Sequence, residues 1–181
     1  MTPLPTLIMS LDLRDPRLGL TRRVGVLPVC ARLDGENLER QFYSFDEQKR
    51  TVAFEGPPWN VDVDPLDALP NPLPECWLDL RPVVSTEEMR EEMPRNLIPD
   101  TFSGGGGFLR VSEPEWIEGP EPVECLGCGR HCEFAACVGS EEYTAPSGIV
   151  SASQSFFVGE LATYYFCCFD CSRMVVVAQG T

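Results

Sequence analysis

The sequence predicts an α+β fold that is mainly β, built from short antiparallel strands with one helix. Short runs of β-branched and aromatic residues alternate with turn residues, one segment carries a helix start signal, and two cysteine pairs flank apolar runs near the C terminus. The length of 181 residues fits a single domain, 1–181. We expect an N-terminal β half (1–56), a Pro/Gly-rich connecting region with one helix (57–107) and a C-terminal half (108–181).

Four strands are predicted in the N-terminal half, at 7–13, 24–33, 41–45 and 51–54. Pro28 interrupts the second of them, and a proline has no N–H to donate to a neighbouring strand. The second strand is therefore expected at a sheet edge or at a bulge.

The connecting region carries the one helix that the sequence predicts. Six prolines between Gly56 and Pro74 exclude a regular helix there and indicate a surface loop or the seam between two halves. A strand is expected at 76–84. Ser85 stands three residues before Glu88, which is a capping-box spacing, and the helix that follows is expected to end before Pro94.

Four consecutive glycines at 104–107 invite a comparison with phosphate-binding loops. No Gly-Lys-Ser/Thr sequence follows them, and no helix is predicted to begin after them. The sequence therefore predicts a connector at this position and no nucleotide site.

Two Cys-x-x-Cys pairs dominate the C-terminal half, namely Cys125 with Cys128 and Cys168 with Cys171. A tight turn with two intervening residues aims both sulfurs at one point, and two such turns supply the closed four-thiolate set that zinc favours. Strands predicted at 133–138, 156–166 and 173–179 adjoin the two turns. The sequence therefore predicts a zinc-ribbon-like C-terminal part with one structural Zn²⁺ ion.

Two residues near the turns are alternative ligands. Cys167 lies four residues before Cys171, although a strand would direct it away from Cys168, and His131 follows Cys128 by three residues. The remaining cysteines are expected to be ordinary buried side chains; they are Cys30, Cys76, Cys132, Cys137 and Cys167. A redox role for Cys132 and Cys137 is the alternative.

The first ten residues contain two prolines and no basic side chain, so they do not resemble a signal peptide. The apolar runs are too short to span a membrane. We therefore expect a cytoplasmic protein that binds no membrane and keeps its thiols reduced, which favours metal binding over disulfides for the nine cysteines.

The negative charge is concentrated in one part of the chain. Residues 1–56 carry eight basic and eight acidic side chains, whereas residues 57–181 carry the whole net charge of −14. Such a field repels phosphate backbones and attracts a basic protein, although solubility alone is an equally good interpretation. We expect a basic protein partner and no nucleic acid; the sequence leaves the oligomeric state open.

No catalytic pattern is recognised in the sequence. His131 is the single histidine, and the chain has neither a Gly-x-Ser-x-Gly elbow nor a His-Glu-x-x-His motif. The sequence favours a protein that is not an enzyme. A carboxylate-based enzyme is the alternative, and a nucleic-acid-binding zinc ribbon is the third hypothesis.

Both ends of the chain resemble a known family. Glu113-Pro114-Glu115-Trp116-Ile117, followed by Cys-x-x-Cys-Gly, and the closing Phe166-Cys167-Cys168-Phe169-Asp170-Cys171 with Gln179 are similar to the bacterial YwqG-like domain. The opening stretch 12–20 resembles the myxobacteria-like subgroup of that family. Two departures from the family pattern are Val111-Ser112 in place of Gly-Gly and Glu118 in place of glutamine, and they put a peptide-binding turn there in doubt.

The resemblance implies a mainly β, pseudo-duplicated fold that binds other proteins. Eukaryotic relatives of the family include programmed cell death protein 2 and a yeast ribosomal-protein chaperone, which implies a chaperone-like role toward a basic client. Bacterial members are suspected of neutralising toxins, which implies an immunity-like role as the other possibility. We expect the contact surface to combine acidic side chains with Trp116 as an apolar anchor, although Trp116 is as readily a core residue. The residues are Glu87, Glu88, Glu91, Glu92, Glu113, Glu115, Trp116 and Glu118.

Overall fold

The computed structural model describes residues 5–22, 25–32, 40–46, 48–49, 51–56, 77–78, 80, 109–114, 116–139 and 161–180. Within these residues the chain forms eight β-strands, one 3₁₀ turn at Pro16–Leu18 and no α-helix. The strands are β1 (Thr6–Asp12), β2 (Val26–Ala31), β3 (Gln41–Asp46), β4 (Thr51–Phe54), β5 (Leu109–Arg110), β6 (Glu133–Val138), β7 (Leu161–Cys168) and β8 (Arg173–Gly180). The fold is mainly β, as the sequence predicts.

The strands form two antiparallel sheets. β1 and β2 make a two-stranded sheet, and the other six strands follow the order β4-β3-β8-β7-β6-β5. β3 pairs with β8, with Gln41 opposite Val176, so the N-terminal half joins the C-terminal half within one sheet. The hairpin of β7 and β8, which carries the second cysteine pair at its turn, therefore lies in the middle of the larger sheet.

Both faces of the central strands β7 and β8 are buried. Successive residues of a strand point to opposite faces. Tyr165 accordingly belongs to a cluster that includes Leu11 of β1, whereas Tyr164 belongs to a second cluster that includes Val123. The two-stranded sheet thus covers one face and the segment before the first cysteine pair covers the other. Because both faces of β7 and β8 are buried, apolar residues follow one another in these strands and do not alternate with polar ones.

Most of the predicted strands are confirmed, with shifts of one to a few residues at their ends. The prediction at 156–166 is confirmed from Leu161 onward, where the description of β7 begins. The two-residue strand β5 is not predicted, because two residues carry no periodic pattern.

The strand predicted at 76–84 is wrong at its described residues, since Trp77, Leu78 and Leu80 belong to no strand. Two features explain the difference. The Trp77 side chain is fully exposed, so it has no sheet to pack against, and the Leu80 carbonyl accepts a hydrogen bond from the Arg17 guanidinium at 2.8 Å. The proline-rich stretch 57–74, the helix predicted after Ser85 and the glycines 104–107 lie outside the described residues.

Candidate metal centre

The four predicted zinc ligands converge on one point. The sulfurs of Cys125, Cys128, Cys168 and Cys171 all lie within 4.8 Å of one another, and those of Cys128 and Cys168 are 3.7 Å apart. Four sulfurs at about 2.3 Å from a central zinc would be separated by about 3.8 Å in a regular tetrahedron. Both the donor set and the spacing therefore fit a zinc ion held by these four side chains.

The first cysteine pair lies in a turn that its own backbone hydrogen bonds close. The Gly129 N–H donates to the Cys125 carbonyl at 2.8 Å, and the Cys125 N–H donates to the Arg130 carbonyl at 2.9 Å. The Gly127 N–H points at the Cys125 sulfur at 3.3 Å. An isolated antiparallel β-bridge between the backbones of Glu124 and His131 flanks this turn. We call the turn the first knuckle (125–130).

The second cysteine pair lies at the turn between β7 and β8, which we call the second knuckle (168–173). Cys168 and Arg173 form the last pair of the ladder between these strands. Phe169 is buried and contacts Phe45 edge to face, with ring centroids 6.4 Å apart, and the Phe45 N–H donates to the Ser172 carbonyl at 2.9 Å. The adjacent strand β3 therefore holds this knuckle in place.

The four thiols differ in exposure, and the pKa values of Cys128 and Cys171 are shifted in opposite directions. Cys125 and Cys168 are buried, Cys171 is half-buried and Cys128 is exposed. A hydrogen bond from the Arg130 guanidinium lowers the pKa of Cys128 to about 6. The hydrogen bond between Cys128 and Cys171, together with burial, raises the pKa of Cys171 to about 12. Cys128 thus loses its proton at a lower pH than Cys171, and metal binding would displace the proton that Cys171 holds.

Neither alternative ligand belongs to the cluster. Cys167 is fully buried in the opposite face of the sheet, among the residues that contact the two-stranded sheet, as strand alternation predicts. His131 is exposed and is not among the described residues whose ligand atoms converge on the site. The set of four cysteines is therefore the one that the geometry favours.

The other described cysteines are mostly core residues, as predicted. Cys30, Cys137 and Cys167 are buried, and burial raises the pKa of the Cys30 thiol to about 11. Cys132 differs, because it is only half-buried, and burial together with the nearby thiols of the cluster raises its pKa to about 12. Its place beside the metal centre was not predicted, because its spacing from the two pairs matches no ligand pattern. Cys76 lies outside the described residues.

Three of the predicted contact residues are described. The Trp116 ring is half-buried and stacks on Tyr164 and Phe166, with centroid distances of 4.8 and 5.8 Å. Glu113 and Glu118 are exposed, and the Glu118 carboxylate accepts a hydrogen bond from the Gly180 N–H at 3.2 Å. The segment thus turns its aromatic ring inward and its carboxylates outward. Glu87, Glu88, Glu91, Glu92 and Glu115 lie outside the described residues.

One shallow depression lies beside the first knuckle. Phe42, Leu126 and Arg173 are among its lining residues. Its one carboxylate, Glu55, is paired with Arg173 at 3.2 Å. Small-molecule sites are usually concave clefts or cavities that combine several convergent polar groups. This depression therefore offers no support for the alternative of a carboxylate-based enzyme.

Across the described ranges, no helix has the length and apolar character needed to cross a membrane. No protein-family model, no curated protein and no solved structure matches the chain.

Proposed function

We propose that this protein is a non-enzymatic, zinc-stabilised protein-binding domain of the cytoplasm that meets a basic partner through an acidic surface. The observation that carries the proposal is the convergence of four cysteine sulfurs within 4.8 Å. Four protein ligands occupy all four coordination positions of a tetrahedral zinc ion and leave none for a water molecule or a substrate. Such an ion stabilises the fold and does not catalyse a reaction.

The zinc ion would join parts of the chain that are distant in sequence. The two knuckles are separated by the residues between Cys128 and Cys168, and each supplies two of the four sulfurs. The second knuckle also contacts β3 of the N-terminal half through Phe169. Because a preformed site does not exist in the unfolded chain, the free energy of zinc binding would contribute to the free energy of folding.

The charge distribution supports a basic partner. The whole net charge of −14 comes from residues 57–181. In the described part of that region, Glu113, Glu118 and Glu124 are all exposed on the segment that leads into the first knuckle. A field of this sign speeds the encounter with a positively charged protein and discourages contact with nucleic acid. An immunity-like role toward a toxin and a chaperone-like role toward a basic client both fit this chemistry, and both follow from the resemblance to the YwqG-like family.

Affinity purification from the native organism, followed by mass spectrometry, would identify the partner. Association rates measured against ionic strength would then test the electrostatic contribution. Replacing Glu87, Glu88, Glu91 and Glu92 with lysine, and separately Glu113 with lysine, should slow association several-fold, with a loss of effect at high salt. Asp46→Lys is the matched control, because Asp46 lies in the neutral half and pairs with Lys49. Association rates that change neither with ionic strength nor with the glutamate reversals would refute the electrostatic contact.

A further inference from the structure

Each knuckle ends in an arginine at the same position. The motif Cys-x-x-Cys-x-Arg occurs twice, ending at Arg130 in the first knuckle and at Arg173 in the second. From sequence alone the two arginines are isolated basic residues that could pack on nearby carboxylates. The structure places each of them against the other knuckle.

Arg130 links a ligand of its own knuckle to the turn of the opposite one. Its Nε donates to the Cys128 sulfur at 3.5 Å, and its Nη2 forms an ion pair with Asp170. Asp170 lies between Cys168 and Cys171, the two ligands of the second knuckle. One guanidinium therefore spans the seam between the two pairs of thiols.

Arg173 makes the reciprocal contact from the other side. A Cβ atom built on Gly127 would lie 2.9 Å from Nη1 of Arg173 and 3.2 Å from the Cys171 sulfur. The missing side chain of Gly127 thus leaves room for both the Arg173 guanidinium and the Cys171 sulfur, which approach this backbone position of the first knuckle. Glu55 holds the same guanidinium through an ion pair of 3.2 Å to its Nε.

We propose that Arg130 and Arg173 are positioning residues of the metal centre, each of which packs against the opposite knuckle, and that Arg130 also donates to a ligand sulfur. This inference rests on the proposed zinc site. Four thiolates around Zn²⁺ would carry two net negative charges, and a nearby guanidinium would offset part of that charge. Partners of this kind typically change metal affinity by about 10- to 100-fold when they are removed.

The Arg130 contact depends on the shape of the guanidinium as well as on its charge. The Arg130 side chain is 62% exposed, so water screens a bare charge at this position. A planar fork can donate to sulfur and carboxylate at once, whereas an ammonium group is a compact donor on a flexible stem. Arg130→Lys should consequently restore only a small part of what Arg130→Gln loses.

The test is the rate at which zinc transfers from the full-length protein to a chromophoric chelator, together with the equilibrium affinity from competition. Arg130→Gln and Arg173→Gln should each release zinc about 10-fold faster than wild type. Asp170→Asn should have a smaller effect, because the contact to Cys128 remains. Arg14→Gln is the matched control; Arg14 pairs with Asp12 in the N-terminal half, at 2.6 Å.

The absorption spectrum of the cobalt-substituted protein is a second measurement, which a general loss of stability would not change. The thiolate-to-cobalt charge-transfer bands should shift in Arg130→Gln and stay unchanged in Arg14→Gln, while the tetrahedral ligand-field bands persist in both. Release rates within two-fold of the Arg14→Gln control in both arginine variants would overturn the inference and leave the zinc site intact. A wild-type protein that binds no zinc would overturn the proposed function, and this inference with it.

Discussion

Gly129 and Ser172 occupy the same position in the two knuckles and share a left-handed backbone conformation, with φ angles of 69° and 50°. Each residue follows the second cysteine of its pair and redirects the chain into the arginine that comes next. Glycine adopts this conformation without an energetic penalty, whereas a residue with a Cβ atom adopts it only at a cost in free energy. The two knuckles thus need the same turn, and only the first has the residue that suits it.

This relationship predicts opposite effects for exchanges at the two positions. Gly129→Ala should lower the free energy of unfolding by about 1–2 kcal/mol. A Cβ atom at Gly129 meets nothing within 4 Å, so the cost there is conformational and involves no clash. Ser172→Gly should raise the free energy of unfolding by about 0.5–1 kcal/mol. Urea denaturation of the zinc-loaded variants measures both, and effects of the same sign would contradict the proposed equivalence.

The ligand cysteines should differ sharply from the core cysteines in their effect on stability. Cys125→Ser or Cys171→Ser should abolish tight zinc binding and lower the melting temperature by about 10 °C or more, because metal binding and folding are coupled. Treating the wild type with a chelator should have the same effect.

The controls for this comparison are Cys30→Ala and Cys137→Ala, whose side chains are buried away from the cluster. Each should cost only a packing penalty of about 1 kcal/mol. Losses of equal size at ligand and core positions would show that the four sulfurs have no special role.

Cys128 should be the first cysteine of the metal-free protein to react with iodoacetamide. It is exposed, and the contact with Arg130 lowers its pKa to about 6, so at pH 7 it is mostly the nucleophilic thiolate. Because its pKa is lowered, the thiolate is lost only as the pH falls below 6, and alkylation at pH 5 should be about ten-fold slower than at pH 7.

Mass spectrometry of peptides from protein alkylated below its melting temperature would locate the label. Zinc should protect Cys128, and Cys30, Cys137 and Cys167 should stay unlabelled while the protein is folded. Uniform labelling of all the cysteines at pH 7 would contradict the described environment of Cys128.

Trp116 gives a direct test between a core role and a role in partner binding. Its ring stacks on Tyr164 at 4.8 Å and on Phe166 at 5.8 Å, so Trp116→Ala should lower the free energy of unfolding by about 2–3 kcal/mol. Trp116→Phe keeps part of the stacking and should lose less. If Trp116→Ala unfolds at the same urea concentration as wild type, the ring contributes little to the core, and an anchoring role becomes the better explanation.

The four-cysteine cluster was predictable from sequence because its geometry is local. The distance between two sulfurs of one turn depends on two intervening residues, and two such turns specify the complete ligand set. Alternation along β7 likewise predicts that Cys167 points away from Cys168, as the structure shows. These inferences need no knowledge of how distant segments meet.

The remaining contacts depend on pairings that no local pattern encodes. The register that places Gln41 opposite Val176 is decided by the packing of both sheet faces at once. The stacking of Trp116 on Tyr164 follows from the path of a segment without regular structure. Arg130 and Arg173 each contact the opposite knuckle, and these contacts can form only when both knuckles are in place.

The central claim of this account is that Cys125, Cys128, Cys168 and Cys171 together hold one zinc ion. Elemental analysis of protein purified without chelators, combined with X-ray absorption at the zinc edge, tests it most directly. The account predicts one zinc per chain, surrounded by four sulfur atoms at about 2.3 Å and by no nitrogen or oxygen ligand. Protein that is folded and free of zinc, or a zinc ion with histidine or water among its ligands, would contradict the account.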